Sequence, residues 1–101
     1  MNFQTGCFRR SPGLRLRAIP ELDTCLVYRP RPPKIFRLNL SAWLVLELCE
    51  GLDGSKLVDR YWRTSGNRMN GEQAASQVRA GLDLLLHNCL IELDPAEPIR
   101  P

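Results

Sequence analysis

Lys34-Ile35-Phe36-Arg37-Leu38-Asn39 runs straight into Leu40-Ser41-Ala42-Trp43-Leu44-Val45-Leu46-Glu47-Leu48-Cys49-Glu50-Gly51, and the change of period inside this stretch decides the fold. Up to Asn39 the residues read as a strand, with Phe36 and Leu38 on one face and Ile35 and Arg37 on the other. Beyond it, Ala42, Trp43, Leu44, Val45, Leu46, Leu48 and Cys49 fill much of a helical circumference, which places that helix at the centre of the molecule. Asn39 or Ser41 can cap its start, and Gly51 stops it.

Upstream, Leu14-Arg15-Leu16-Arg17-Ala18 alternates apolar and basic residues with period two, as a half-buried strand does. Pro20-Glu21-Leu22-Asp23 is turn material, and Thr24-Cys25-Leu26-Val27-Tyr28 is rich in strand formers. Arg29-Pro30-Arg31-Pro32-Pro33 lacks three ladder donors and reads as a stiff hairpin loop. Residues 1–11 show no sustained period and read as a flexible arm ahead of a domain at 12–93.

Downstream, Asp53-Gly54 supplies a turn and Ser55 caps a second helix, with Leu57, Val58, Tyr61 and Trp62 on its core face. Thr64 to Met69 is a polar loop. Asn70-Gly71-Glu72-Gln73 forms a capping box for a third helix that runs to about Asn88. At 100° per residue, Ala75, Val78, Leu82, Leu85, Leu86 and Cys89 make its core stripe, and Asn88 suits a left-handed C-terminal position. Leu90-Ile91-Glu92-Leu93 packs the exit, and residues 94–101 read as a disordered tail. The sum is an α+β domain: a three-stranded antiparallel sheet followed by three helices.

A chain of 101 residues with 44% hydrophobic and 25% charged residues has room for one core. It contains no apolar run long enough to span a bilayer and no secretory h-region, so a cytoplasmic protein without a membrane role is expected. Cys7, Cys25, Cys49 and Cys89 match neither a zinc spacing nor a redox pair, so no metal and no cofactor is expected, and Cys49 and Cys89 read as small buried hydrophobes. The net charge of +3 is uneven: residues 1–40 hold eight Lys/Arg against two acids, and residues 41–101 hold six against nine. An anionic partner would meet the first half.

In this order of elements the chain resembles the PqqD-like family, the precursor-peptide recognition elements of ribosomally synthesised, post-translationally modified peptide pathways. The resemblance spans about residues 11–93. It rests on Ser11-Pro12 before a strand, on Lys34-Ile35-Phe36-Arg37-Leu38-Asn39 leading into a helix that ends Leu48-Cys49-Glu50-Gly51, and on Leu85-Leu86-His87-Asn88-Cys89-Leu90-Ile91-Glu92. Glu50-Gly51-Leu52-Asp53-Gly54 is three residues longer than the family's usual link, and Asn88-Cys89 stands where a glycine is usual. The resemblance implies a winged-helix-like fold. It also implies a non-catalytic adaptor that takes a leader peptide as an added strand, antiparallel to the third strand and lying against the third helix, and presents it to a modifying enzyme, often a radical SAM enzyme.

The residues support such a mode by themselves, because a sheet ending at Lys34 to Asn39 leaves one edge unpaired. Five or six ladder bonds at about 1 kcal/mol each barely offset the roughly 4 kcal/mol or more lost on association. Side-chain contacts from the third helix must add to them. Ala74, Gly81 and Asn88 recur every seven residues on one flank of its core stripe, with Gln77 and Leu84 beside them. The expected groove therefore joins Lys34, Ile35, Phe36, Arg37 and Leu38 to Ala74, Gln77, Val78, Gly81, Leu84 and Leu85. On that reading Gly81→Phe abolishes peptide binding and spares thermal stability; the alternative is that Gly81 lets two helices pack closely. Lys34 and Arg37 point to an acidic peptide.

His87 lies off the core stripe and is explained by a surface position near a helix end. Phosphate loops, nucleophile elbows and paired carboxylates are all missing, so no catalysis is expected. The competing reading is a winged-helix DNA-binding protein. Bases and acids nearly balance on the second and third helices, which argues against a recognition helix and against nucleic acid as the partner. An open edge also admits either a monomer or a homodimer.

Overall fold

The computed structural model describes residues 6–65 and 69–95. Two three-stranded sheets and three helices share one core. Strands β2 (Arg15–Ile19), β3 (Thr24–Pro30) and β4 (Pro33–Asn39) form an antiparallel sheet in that order, with a 3-10 turn at Pro20–Leu22. The second sheet has the order β5-β1-β6, with β1 (Gly6–Arg10) between β5 (Glu50–Asp53) and β6 (Ile91–Pro95). Helices α1 (Leu40–Leu48), α2 (Gly54–Thr64) and α3 (Gly71–His87) complete the fold.

The strand-to-helix switch falls where the period changes. Asn39 is the cap, its side chain accepting the Ala42 N–H at 2.9 Å. In the β2-β3-β4 register Leu16, Val27 and Phe36 form one cross-strand row and Ala18, Cys25 and Leu38 the next. Val27, Cys25 and Leu38 are buried against the helices, where Val45, Leu46, Leu57, Val78, Leu82 and Leu85 complete the core. The hairpin between β3 and β4 is tighter than a five-residue loop: pairing continues to Pro30–Pro33 and leaves only Arg31-Pro32 as the turn. Pro33 opens an edge strand, where a missing donor costs little.

The second sheet corrects four expectations. Residues 6–10 are not part of an arm: Phe8 is wholly buried and pairs with Leu52 on one side and Leu93 on the other. The link after α1 is not a plain turn but β5, in which Gly51, at φ 87°, sits at the bulge where the register jumps between Phe8 and Arg9. Asp53, not Ser55, caps α2: its carboxylate accepts the Lys56 N–H at 2.9 Å and the Ser55 hydroxyl at 2.8 Å, which hold its pKa down. Asp94 and Pro95, expected in a tail, belong to β6. The rest of the tail (96–101), the arm's first five residues and positions 66–68 of the polar loop lie outside the described residues.

Helix α3 carries the expected capping box, with Asn70 and Gln73 each accepting the other's backbone N–H. Its buried face is Ala74, Val78, Gly81, Leu82 and Leu85, rotated from the expected stripe; Ala75 and Leu86 are half-buried and Cys89 is exposed. The helix closes with the Cys89 N–H on the Leu86 carbonyl and the Leu90 N–H on the Leu85 carbonyl, and Cys89 rather than Asn88 adopts the left-handed conformation, at φ 58°. Trp62, expected in the core, is part-exposed, its indole N–H donating to the Met69 carbonyl at 2.7 Å.

Candidate functional site

Strand β4 is an outer strand of its sheet, so its N–H and C=O groups on the side away from β3 have no strand partner among the described residues. Its side chains divide as the alternation requires. Leu38 is buried, Phe36 is half-buried, and Lys34, Ile35 and Arg37 are exposed, Ile35 to 65%. Phe36 lies under two cations, with the Arg29 guanidinium 5.0 Å and the Lys34 ammonium 5.2 Å from its ring centre. This end of the edge is therefore an aromatic surface framed by positive charge.

On α3 the expected residues divide. Ala74, Val78 and Leu85 are fully inside the core and present no surface to a ligand. Gly81 is also buried, and a Cβ there would sit 2.9 Å from Cγ2 of Val45 on α1. The structure thus gives Gly81 the role of letting α1 and α3 touch. A phenylalanine at this position would push the helices apart, contrary to the expectation that it spares stability. Gln77 holds the buried Tyr61, accepting its hydroxyl at 2.5 Å, and Leu84 is 44% exposed.

Three of the expected helix residues, Gln77, Gly81 and Leu84, do meet in one shallow groove of about 170 Å³, whose other walls are Asn39, Ser41, Ala42 and Ala80. The groove lies where β4 ends and α1 begins, so it continues the open edge at its Asn39 end; Lys34 to Leu38 are not among its walls. Sequence reasoning missed Ser41, Ala42 and Ala80 as lining residues. Ala80, beside the chosen 77/81/84 set on the helical wheel, was within reach of the same reasoning. The first turn of α1 was not, because capping and core packing already explain Asn39 and Ala42. Leu40, 54% exposed in that turn, adds apolar surface nearby.

A larger concavity of about 1000 Å³ opens on another part of the molecule, between the β3–β4 hairpin and the end of α3, with Arg15, Tyr28, Arg29, Arg31, Leu86 and Ile91 among its walls. None of its walls belongs to β4, and Arg29 is already engaged there by the Asn88 and Pro32 carbonyls at 2.6 and 3.0 Å. Strand addition calls for unpaired backbone beside a side-chain groove; β4 leads into one at its Asn39 end, whereas β2, the other outer strand of this sheet, reaches the larger concavity through Arg15 alone.

The two buried cysteines are poor nucleophiles. Burial pushes the Cys49 thiol up to about 12, so it stays protonated, and burial likewise raises Cys25. Among the described residues, no three His, Cys, Asp or Glu side chains are grouped to hold a metal, and no helix is long and apolar enough to cross a membrane.

No family profile and no curated protein sequence matches the chain. Two solved structures share its fold. TbiB1 in complex with the TbiA(beta) leader peptide superposes with a TM-score of 0.67 at 18% identity, over 83% of this chain and 94% of that one. The solution NMR structure of the PqqD truncation of Methylobacterium extorquens PqqCD, described as a functional, stand-alone recognition element for ribosomally synthesised and post-translationally modified peptides, superposes with a TM-score of 0.64 at 21% identity, over 84% and 87%. The chain therefore has the α+β fold of these two structures.

Proposed function

We propose that this protein is a non-catalytic adaptor that captures the leader of a ribosomally made precursor peptide as an added strand on β4 and presents it to a modifying enzyme, a radical SAM enzyme being the class the family resemblance favours. The observation that carries the reading is the unpaired seven-residue edge of β4 leading into the groove of Gln77, Gly81 and Leu84. The shared fold supports it, since one of the two similar structures holds a leader peptide and the other is a peptide-recognition element.

Each part of the site has a task in this reading. The backbone of β4 supplies ladder bonds that bind without regard to sequence, and alternate peptide side chains fall toward the helices, where Leu84 and the groove meet an apolar residue. Lys34 and Arg37, which have no carboxylate within 4 Å among the described residues, favour acidic residues in the peptide. Ladder bonds and apolar contact together are enough for micromolar affinity, about −8 kcal/mol.

Hydrogen exchange tests this with any peptide that binds, whatever the natural precursor. Fifteen-residue binders are selected from a random displayed-peptide library, and amide exchange is measured with and without them. Slowed exchange of the outward amides of residues 34–38, with selected sequences that alternate apolar and acidic residues, is the expected result. Binders that leave these amides unprotected while protecting β2 or the hairpin concavity would overturn the assignment.

A further inference from the structure

Apart from Ile35 and Arg37 at its β4 edge, the face of the β2-β3-β4 sheet that points away from the helices is not used by the peptide reading. The register puts Arg17, Leu26 and Arg37 side by side in one row of that face and Arg15, Tyr28 and Ile35 in the next. Tyr28 and Ile35 are exposed and Leu26 is half-buried, so an apolar strip runs between guanidinium groups, and at its hairpin end Arg15 and Tyr28 also border the larger concavity. Among the described residues, none of the three arginines has a carboxylate within 4 Å, whereas every ion pair found there lies elsewhere, on β1, β6, α1, β5 and α2. Exposed cations left unpaired around exposed apolar groups form the rim-and-centre pattern of a protein interface.

We propose that this outer face docks an acidic protein surface in which carboxylates flank an apolar spot. Its identity as the enzyme that acts on the peptide rests on the peptide-capture reading; the docking itself does not. Charge complementarity selects the occupant. A second copy meeting the face through a twofold axis would set arginine against arginine. Single-stranded nucleic acid needs aromatic platforms for its bases, and this face offers one tyrosine between two aliphatic residues. A peptide strand added to β4 would send its alternate side chains to the same side as Ile35 and Arg37, so the docked protein would touch adaptor and peptide together.

The test places the photocrosslinker p-benzoylphenylalanine at position 28 of the full chain in the producing cells and identifies the captured partner by mass spectrometry. That partner is then purified, and its affinity for the unmodified chain and for the Arg15→Glu/Arg17→Glu variant is measured over a salt series. Circular dichroism verifies the fold, and a library-selected peptide binder reports the state of the β4 site. The expected result is a protein partner whose affinity falls about tenfold in the variant and weakens with salt, while peptide affinity stays within twofold. Capture of RNA or of a second copy of this chain, or a partner affinity unchanged by the charge reversal, overturns the proposal. If no peptide binds but the charge-sensitive docking persists, the peptide reading fails and the docking face stands.

Discussion

In the β5-β1-β6 sheet the arginines end on carboxylates: Arg9 meets Asp94 at 2.7 Å, and Arg10 reaches Glu47 and Glu50 at 3.8 and 3.9 Å. In the β2-β3-β4 sheet Arg15, Arg17, Lys34 and Arg37 meet none among the described residues. Backbone groups follow the same division. The outer strands of the β5-β1-β6 sheet are four and five residues long, and β5 runs straight into α2. In the β2-β3-β4 sheet one outer strand, β2, has five residues and the other, β4, has seven and leads into a groove. Short edges resist further pairing, and long ones invite it. One sheet closes on groups of the chain itself, and the other leaves charge and backbone hydrogen-bonding groups without partners among the described residues.

The largest effect that can break this division comes from the closed sheet. Phe8→Ala removes a fully buried ring at the middle strand and is expected to cost about 3–5 kcal/mol of stability, read by urea unfolding. A loss below 1 kcal/mol would mean that β1 is dispensable. Gly81→Ala, between α1 and α3, should cost roughly 1–3 kcal/mol by overpacking against Val45 and lower the melting temperature. If it instead weakened peptide binding with stability intact, Gly81 would act through the groove it lines rather than through the contact between the helices.

The open sheet should respond the other way. Lys34→Glu/Arg37→Glu should lower affinity for acidic peptides about tenfold in fluorescence anisotropy, while stability moves by no more than about 0.5 kcal/mol. Equal loss for neutral peptides would transfer the effect from charge to strand geometry. Cys89→Gly removes a side chain from a left-handed position and should raise stability by about 0.5–1 kcal/mol without touching either sheet. The smallest effect concerns Asp53. Its pKa is depressed in the folded state, so its contribution is present above the ordinary carboxylate range and is lost as pH falls through the folded value. Asp53→Asn should flatten that acid limb of the stability–pH curve.

The open sheet was legible in the sequence and the closed one was not. Residues 14–39 announce their strands by alternation and their turns by proline, and the change of period at Asn39 marks the first helix. Strand β1 offers five residues with a single large apolar side chain, Phe8, and its partners lie some forty and eighty positions away. No local pattern carries that pairing. The face of α3 was misjudged for a different reason. Ala74 and Gly81 add little to a hydrophobic stripe, yet both are buried, and at Gly81 even a Cβ would press on Val45 of α1. The groove suffered from the same error, since smallness read as room for a ligand is at Gly81 room for a helix.

The position of β1 also governs when the molecule can become whole. It leaves the ribosome before the other described strands, yet Gly6 to Arg10 pair with Pro95 to Ile91, which emerge only after α1, α2 and α3. During synthesis β2, β3 and β4 can assemble from neighbouring sequence while Phe8 waits without its cover. The β4 edge is thus ready before the fold is locked, and a nascent chain stalled short of Ile91 would display a formed edge on an unclosed body.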